Sequence, residues 1–179
     1  MDAPGTGTDA PSMIDTFWEI ARVRAKLNPT GYYTGESALG SLTPPAWGFG
    51  ATPEEADELL ALVLSGTKTA TAGALWDYEA EGEELPTPGE LGIVTDGRGV
   101  PHALVVTTRV DVVPFDEVSA EHAYLEGEGD RSLTTWREVH ERFFTKHAVH
   151  THGFRSDMPV VLQRFAVLYG QDSADSVDG

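Results

Sequence analysis

Apolar positions along this chain alternate between the spacing of helices and the spacing of strands. Ser12 stands as a helix N-cap with Asp15 three residues on. Ile14, Phe17, Trp18 and Ala21 mark one apolar face, and Asn28-Pro29 ends the helix. Thr52 and Glu55 form a second capping box with Pro53 at the first helical position. Ala56, Leu59, Leu60, Val63 and Leu64 line that helix, and Gly66 closes it. Thr67 to Leu75 has the small and β-branched residues of a strand opening. Leu91 to Thr95 and His102 to Val113 read as two strands joined by the hairpin signal Asp96-Gly97-Arg98-Gly99. Short helices are predicted at Ser119 to Leu125 and from Ser132 through Phe143. Pro159 to Tyr169 is a last strand with Val161, Phe165, Val167 and Tyr169 on one side.

Two segments between these elements break the periodicity. Residues 28–50 are rich in Gly, Pro, Thr and Ser, with Tyr32, Tyr33, Trp47 and Phe49 interspersed; long irregular structure pinned against the body is expected. Trp76 to Glu90 holds six acids and no base, which predicts an exposed acidic loop ending at Pro88-Gly89. The order is not a strict strand–helix alternation, so the fold class is α+β with a small curved sheet or barrel in a single domain. That domain spans residues 12–170, between a disordered N-terminal tail at 1–11 and a disordered acidic tail at 171–179.

Charge narrows the partners. The 179 residues carry 12 bases and 29 acids, a formal charge of −17. Five of the acids lie in the tails, and the remainder still has 24 acids against 12 bases. Such a field repels polyanions and argues against broad nucleic-acid binding, while leaving room for a local basic pocket. Hydrophobic content of 40 % and a mean hydropathy of −0.23 describe a globular chain, and the absence of cysteine excludes disulfides and thiolate chemistry. The N-terminus has no basic start or apolar core. The longest apolar run, Leu59 to Leu64, is too short to span a bilayer, so a cytoplasmic protein without membrane contact is expected.

Lysine is scarce, and Lys68 falls at a helix-to-strand turn three residues before Thr71. A threonine hydroxyl is a poor nucleophile until a base takes its proton, and a lysine is that base only where its pKa is lowered. On a flat strand the two would point to opposite faces, so the backbone has to bend there. Glu126, Glu128 and Asp130 are candidate proton donors in a loop where Gly127 and Gly129 permit close approach; a plain solvated loop fits them equally. Trp47, Phe49, Trp76 and Tyr78 are candidates to stack a base. His147, His150 and His152, with His140 upstream, match no strong metal signature, and neither a metal nor any cofactor is expected.

Trp47-Gly-Phe-Gly50, Leu64-Ser-Gly-Thr-Lys-Thr-Ala-Thr71, Leu85-Pro86 with Pro88-Gly89, Phe115-Asp-Glu-Val118, His122-Ala123, Glu126-Gly-Glu-Gly-Asp-Arg-Ser-Leu133, Trp136 and His140 together resemble the ASCH family, the ASC-1 homology domain related to PUA-like folds. They cover most of residues 45 to 169 and look like the longer bacterial subgroup with an extra N-terminal helix. The resemblance implies a small mixed β-barrel surrounded by helices and a cleft holding the lysine motif. It also implies amide hydrolysis of N4-acylated cytidine or a related modified nucleoside. The alternative is an RNA-binding module or metal-independent ribonuclease acting on single-stranded RNA, with Lys68, Arg131 and Arg137 on phosphates. Residue by residue, the family's Lys-x-x-Thr falls on Lys68 and Thr71, and its glutamate four residues after a histidine falls on Glu126. In that reading Lys68 is the base, Thr71 the nucleophile and Glu126 the acid. Trp47, Phe49, Thr69, Trp76, Tyr78, Asp130, Arg131 and Ser132 complete the expected ligand contacts. The family's small hydrolases carry an arginine soon after the threonine, where this chain reads Ala72-Gly73.

Overall fold

The computed structural model describes residues 12–27 and 42–171. The expected tail at 1–11, all but Gln171 of the expected tail at 171–179, and Tyr32 and Tyr33 of the irregular segment lie outside the described residues. In chain order the elements are α1 (Met13–Arg24), β1 (Ala46–Trp47), α2 (Pro53–Leu64), β2 (Ala70–Ala74), α3 (Leu75–Glu81), β3 (Leu91–Thr95), β4 (Pro101–Pro114), α4 (Ala120–Glu126), α5 (Leu133–Lys146) and β5 (Pro159–Gly170). The helix ends follow side-chain chemistry. Ser12, Thr52, Ser119 and Ser132 each accept a hydrogen bond from the backbone N–H three residues on. Thr52 is reinforced by Glu55, whose carboxylate accepts from the Ala51 N–H at 2.7 Å.

The strands form one sheet in the order β1-β3-β4-β5-β2, antiparallel except for the two-residue parallel pair of β1 with β3. Its middle is buried on both faces. Ile93 and Leu104 pack under Phe17, Trp18 and Ala21 of α1. Their neighbours Val94, Ala103 and Val105 face the other way, with Leu60 and Val63 of α2, Phe49 and Phe165. This explains why the start of β4 is nearly continuous in apolar residues instead of alternating. A third cluster joins Trp136 and Phe144 of α5 to Phe115, Met158 and Val160. The sheet curves because β4 and β5 are long and shift register between Thr107 and Arg109, where an irregularity bends the ladder.

Two expectations are corrected. The barrel is not closed: among the described residues no ladder joins β1 to β2, and the sheet is an open five-stranded one. The side chains of Trp47 and Tyr78 line that gap. The Trp47 ring lies where a Cβ on Gly92 would be only 2.0 Å from it, and the Tyr78 ring lies 3.2 Å from the Cβ position of Gly73. The acidic stretch 76–90 is not all loop either, since Leu75–Glu81 is α3. Gly82 at φ 67° ends it in the left-handed region that a glycine enters cheaply.

No helix among the described residues is long and apolar enough to cross a membrane. Replacing Thr52 with alanine removes the α2 cap and should cost about 1 kcal/mol of stability, read as a lower urea midpoint with unchanged slope.

Candidate functional site

The α2 helix ends at Ser65, and Gly66 turns the chain with φ 78°. The N–H groups of Thr67 and Lys68 both return to the Leu62 carbonyl at 3.0 Å. This tight turn sends the Lys68 side chain inward, where it is 1 % exposed. A buried ammonium has to be paired and hydrogen-bonded. Its Nζ donates to the Ala70 carbonyl at 2.9 Å and to Glu128 Oε1 at 2.9 Å. Glu126 Oε2 lies 3.8 Å away, and the Phe49 ring is centred 5.2 Å from the charge.

The carboxylates arrive from the end of α4. Thr69 donates its N–H to the Leu125 carbonyl at 2.8 Å, tying the turn to that helix. Gly127, at φ 74°, then passes so close that a Cβ there would lie 2.5 Å from the Thr67 carbonyl oxygen. Only glycine serves at that point. Arg131 completes the clasp: Nε donates to the Tyr124 carbonyl at 2.9 Å, Nη2 to the Thr67 carbonyl at 3.4 Å, and the guanidinium lies 3.6 Å from the Tyr124 ring centre.

Glu126 is also 1 % exposed and is held by two histidines. His122, one helical turn earlier, meets Oε1 at 2.8 Å, and His140 of α5 meets Oε2 at 3.2 Å. His140 Nδ1 is 2.8 Å from the Trp136 carbonyl, which only accepts, so that nitrogen carries a hydrogen. Its Nε2 faces a carboxylate and carries one too, making the ring an imidazolium. Burial favours the neutral ring, but the hydrogen bond to Glu126 and the charges of Glu126 and Glu128 outweigh it and raise its pKa above 6.5. For Glu126 burial favours the protonated acid. The bonds from His122 and His140 and the charges of His140 and Lys68 win, holding the carboxyl well below the usual carboxylate range.

Thr71 lies on β2 and opens into a cavity of about 490 Å³ between the two free sheet edges. Trp47, Phe49 and Tyr78 line the same cavity, with Gln163 and Thr107 on its sheet wall. Lys68 and Glu126 are brought together but sit beside this space, under Phe49, and are not part of its lining. The remaining expected ligand contacts have other partners. Trp76 packs against the rings of His150 and His152 at 5.2 and 4.7 Å. Asp130 accepts from the Ser132 N–H, Ser132 caps α5, and Thr69 is committed to Leu125. His147 ends α5, and His150 Nδ1 accepts from the His152 N–H at 3.1 Å, which removes that nitrogen as a ligand. Among the described residues no group of three or more side chains is placed to hold a metal.

Glu128, expected as a candidate proton donor between Gly127 and Gly129, is the carboxylate bonded directly to Lys68. Gln163, beside Thr71, is the group that the sequence does not single out. Gln163 has no signal beyond being a polar residue in an apolar strand.

The pair of Glu126 and His140 predicts a pH window. The Glu126 contribution is present above its unfolded value of 4.5 and is lost as pH falls through its depressed folded value. The His140 contribution is present below 6.5 and is lost as pH rises through its raised folded value. Urea midpoints should therefore decline above pH 6.5, and His140→Gln should lack that alkaline decline.

The ASCH domain family model matches residues 45–169. No curated protein matches the chain. Solved structures similar to it include the following two. The ASCH domain of Lactobacillus crispatus JV V101 is 28 % identical over 90 % of this chain and 98 % of its own, with a TM-score of 0.71. A protein of Enterococcus faecalis V583 is 32 % identical over 93 % of this chain and 96 % of its own, with a TM-score of 0.76. With the family match covering the whole of the sheet but the last residue of β5, together with the Lys68 turn and the glutamate loop, the chain belongs to the ASCH domain family.

Proposed function

We propose that this ASCH-domain protein is a hydrolase that cleaves the amide of an N4-acylated cytidine or a closely related modified nucleoside. The observation that carries the reading is the position of Thr71. Its side chain meets an aromatic-walled cleft of nucleoside size while Lys68, three residues earlier, is held behind the strand by two glutamates. Among the described residues the cleft lining includes Glu83, Glu84 and Glu90 and no lysine, arginine or histidine, so a neutral nucleoside suits it better than a polyanion. The RNA reading has less support. Arg131 is spent on backbone carbonyls and the Tyr124 ring, and Arg137 bonds the Asp116 carbonyl.

In the reaction Thr71 Oγ adds to the acyl carbon, the carbon–nitrogen bond breaks as the amine takes the proton that the hydroxyl gives up, and water cleaves the threonyl ester to the free acid and the threonine hydroxyl. A lysine accepts the hydroxyl proton only from its neutral form. Lys68, held by the Ala70 carbonyl and Glu128, lies outside the cleft lining and fixes the turn that leads to Thr71. Glu128, with its side chain 30 % exposed and 2.9 Å from Nζ, pairs the ammonium and does not line the cleft. Glu126, kept ionised by two histidines, fixes the lysine instead of serving as the acid.

Incubation with N4-acetylcytidine, followed by chromatography for cytidine, tests this directly. Wild type should release cytidine, and Thr71→Val should lower the rate at least about a hundredfold. Absence of release by wild type, or undiminished release by Thr71→Val, would overturn the proposal.

A further inference from the structure

Gln163 stands directly opposite Thr71 in the β2–β5 ladder. Side chains of facing residues in an antiparallel pair project from the same side of the sheet with Cβ atoms about 4.5–5.5 Å apart. Both line the cleft, as do the next facing pair, Gly73 and Val161. Gln163 is not a loose amide. Its Nε2 donates one hydrogen to Thr107 Oγ1 at 2.8 Å, and Thr107 is itself buried in the adjoining strand. That bond fixes the plane of the carboxamide. A primary amide nitrogen has two hydrogens, and the second is left for an acceptor within the cleft.

We infer that Gln163 is a catalytic residue of the hydrolysis proposed above, donating this second N–H to the acyl oxygen of the bound amide. The inference rests on that reading for its chemistry. As Thr71 Oγ bonds to the acyl carbon, the carbonyl π electrons move onto oxygen, which becomes an oxyanion. The Gln163 N–H is oriented before charge develops and strengthens its bond as it does. The electrons return when the carbon–nitrogen bond breaks and the amine departs with the proton that Thr71 Oγ gave up. A single oriented donor of this kind is worth about 10²–10³-fold in rate. Thr107 acts through Gln163 and is a positioning residue.

Kinetics on N4-acetylcytidine test the assignment. Gln163→Leu should lower kcat by about 10²–10³-fold with KM little changed, and Gln163→Glu, which puts a carboxylate at the oxyanion, should lose at least as much. Thr107→Val should lower kcat and Thr107→Ser should restore it. If Thr71→Val abolishes turnover while Gln163→Leu stays within about threefold of wild type, the hydrolase reading stands and this inference falls. A second measurement does not depend on turnover. In Thr71→Val protein the Gln163 side-chain amide, identified by its loss in the Thr71→Val, Gln163→Leu double variant, should shift on saturation with N4-acetylcytidine and not with cytidine, which lacks the acyl oxygen. An unshifted amide at saturation overturns the inference whatever the hydrolysis result, and failure of N4-acetylcytidine to bind overturns both proposals.

Discussion

An ammonium buried inside a small domain is the constraint around which this protein is arranged. Lys68 is almost fully removed from water, so its charge has to be met by protein groups or the fold loses several kcal/mol. The answer is built from sequence-distant parts. The α2–β2 turn supplies the lysine, the end of α4 supplies Glu126 and Glu128, and α5 supplies the imidazolium of His140 that balances the second carboxylate. Gly127 is the geometric condition for all of it, because any side chain there would collide with the Thr67 backbone.

The same arrangement separates two tasks that a motif reading merges. A lysine, a threonine and a glutamate in family order suggest three groups meeting one substrate. The structure gives a closed ionic cluster on one side of Phe49 and an open cleft with Thr71 on the other. The cluster anchors the turn from which β2 starts, and so sets where Thr71 faces. Communication between the two runs through a short backbone path, since Nζ holds the carbonyl of Ala70, the residue immediately before Thr71.

Much of the fold was legible in the sequence because its signals are local. The capping pairs at Ser12 and Thr52, the hairpin at 96–99 and the glycine at 66 all fall where the pattern put them. The α3 helix was missed because its residues are acidic and half-exposed, giving no apolar face, and its glycine stop looked like part of a loop. Closure of the barrel was expected from resemblance, and no local feature tests closure. The approach of Lys68 to the glutamate loop was readable only as a family pattern. The role of His140 required its Nδ1 partner, a backbone carbonyl one turn away, and Gln163 required the strand register.

The open edge has a consequence for how such a domain diverges. The cleft wall opposite Thr71 hangs on a two-residue ladder at β1, with the Trp47 ring laid over Gly92, and of residues 45–49 and 78–90 only Trp47 and Phe49 reach the three apolar clusters. Residues 45, 46 and 78–90 therefore can be exchanged under selection for a new ligand without repacking the interior, whereas Trp47 and Phe49 are tied to the core. Stability and ligand choice are carried by different stretches of chain. A lineage that keeps the lysine, its glutamates and the glycine between them retains the scaffold, and has the rim left over as raw material for new specificities.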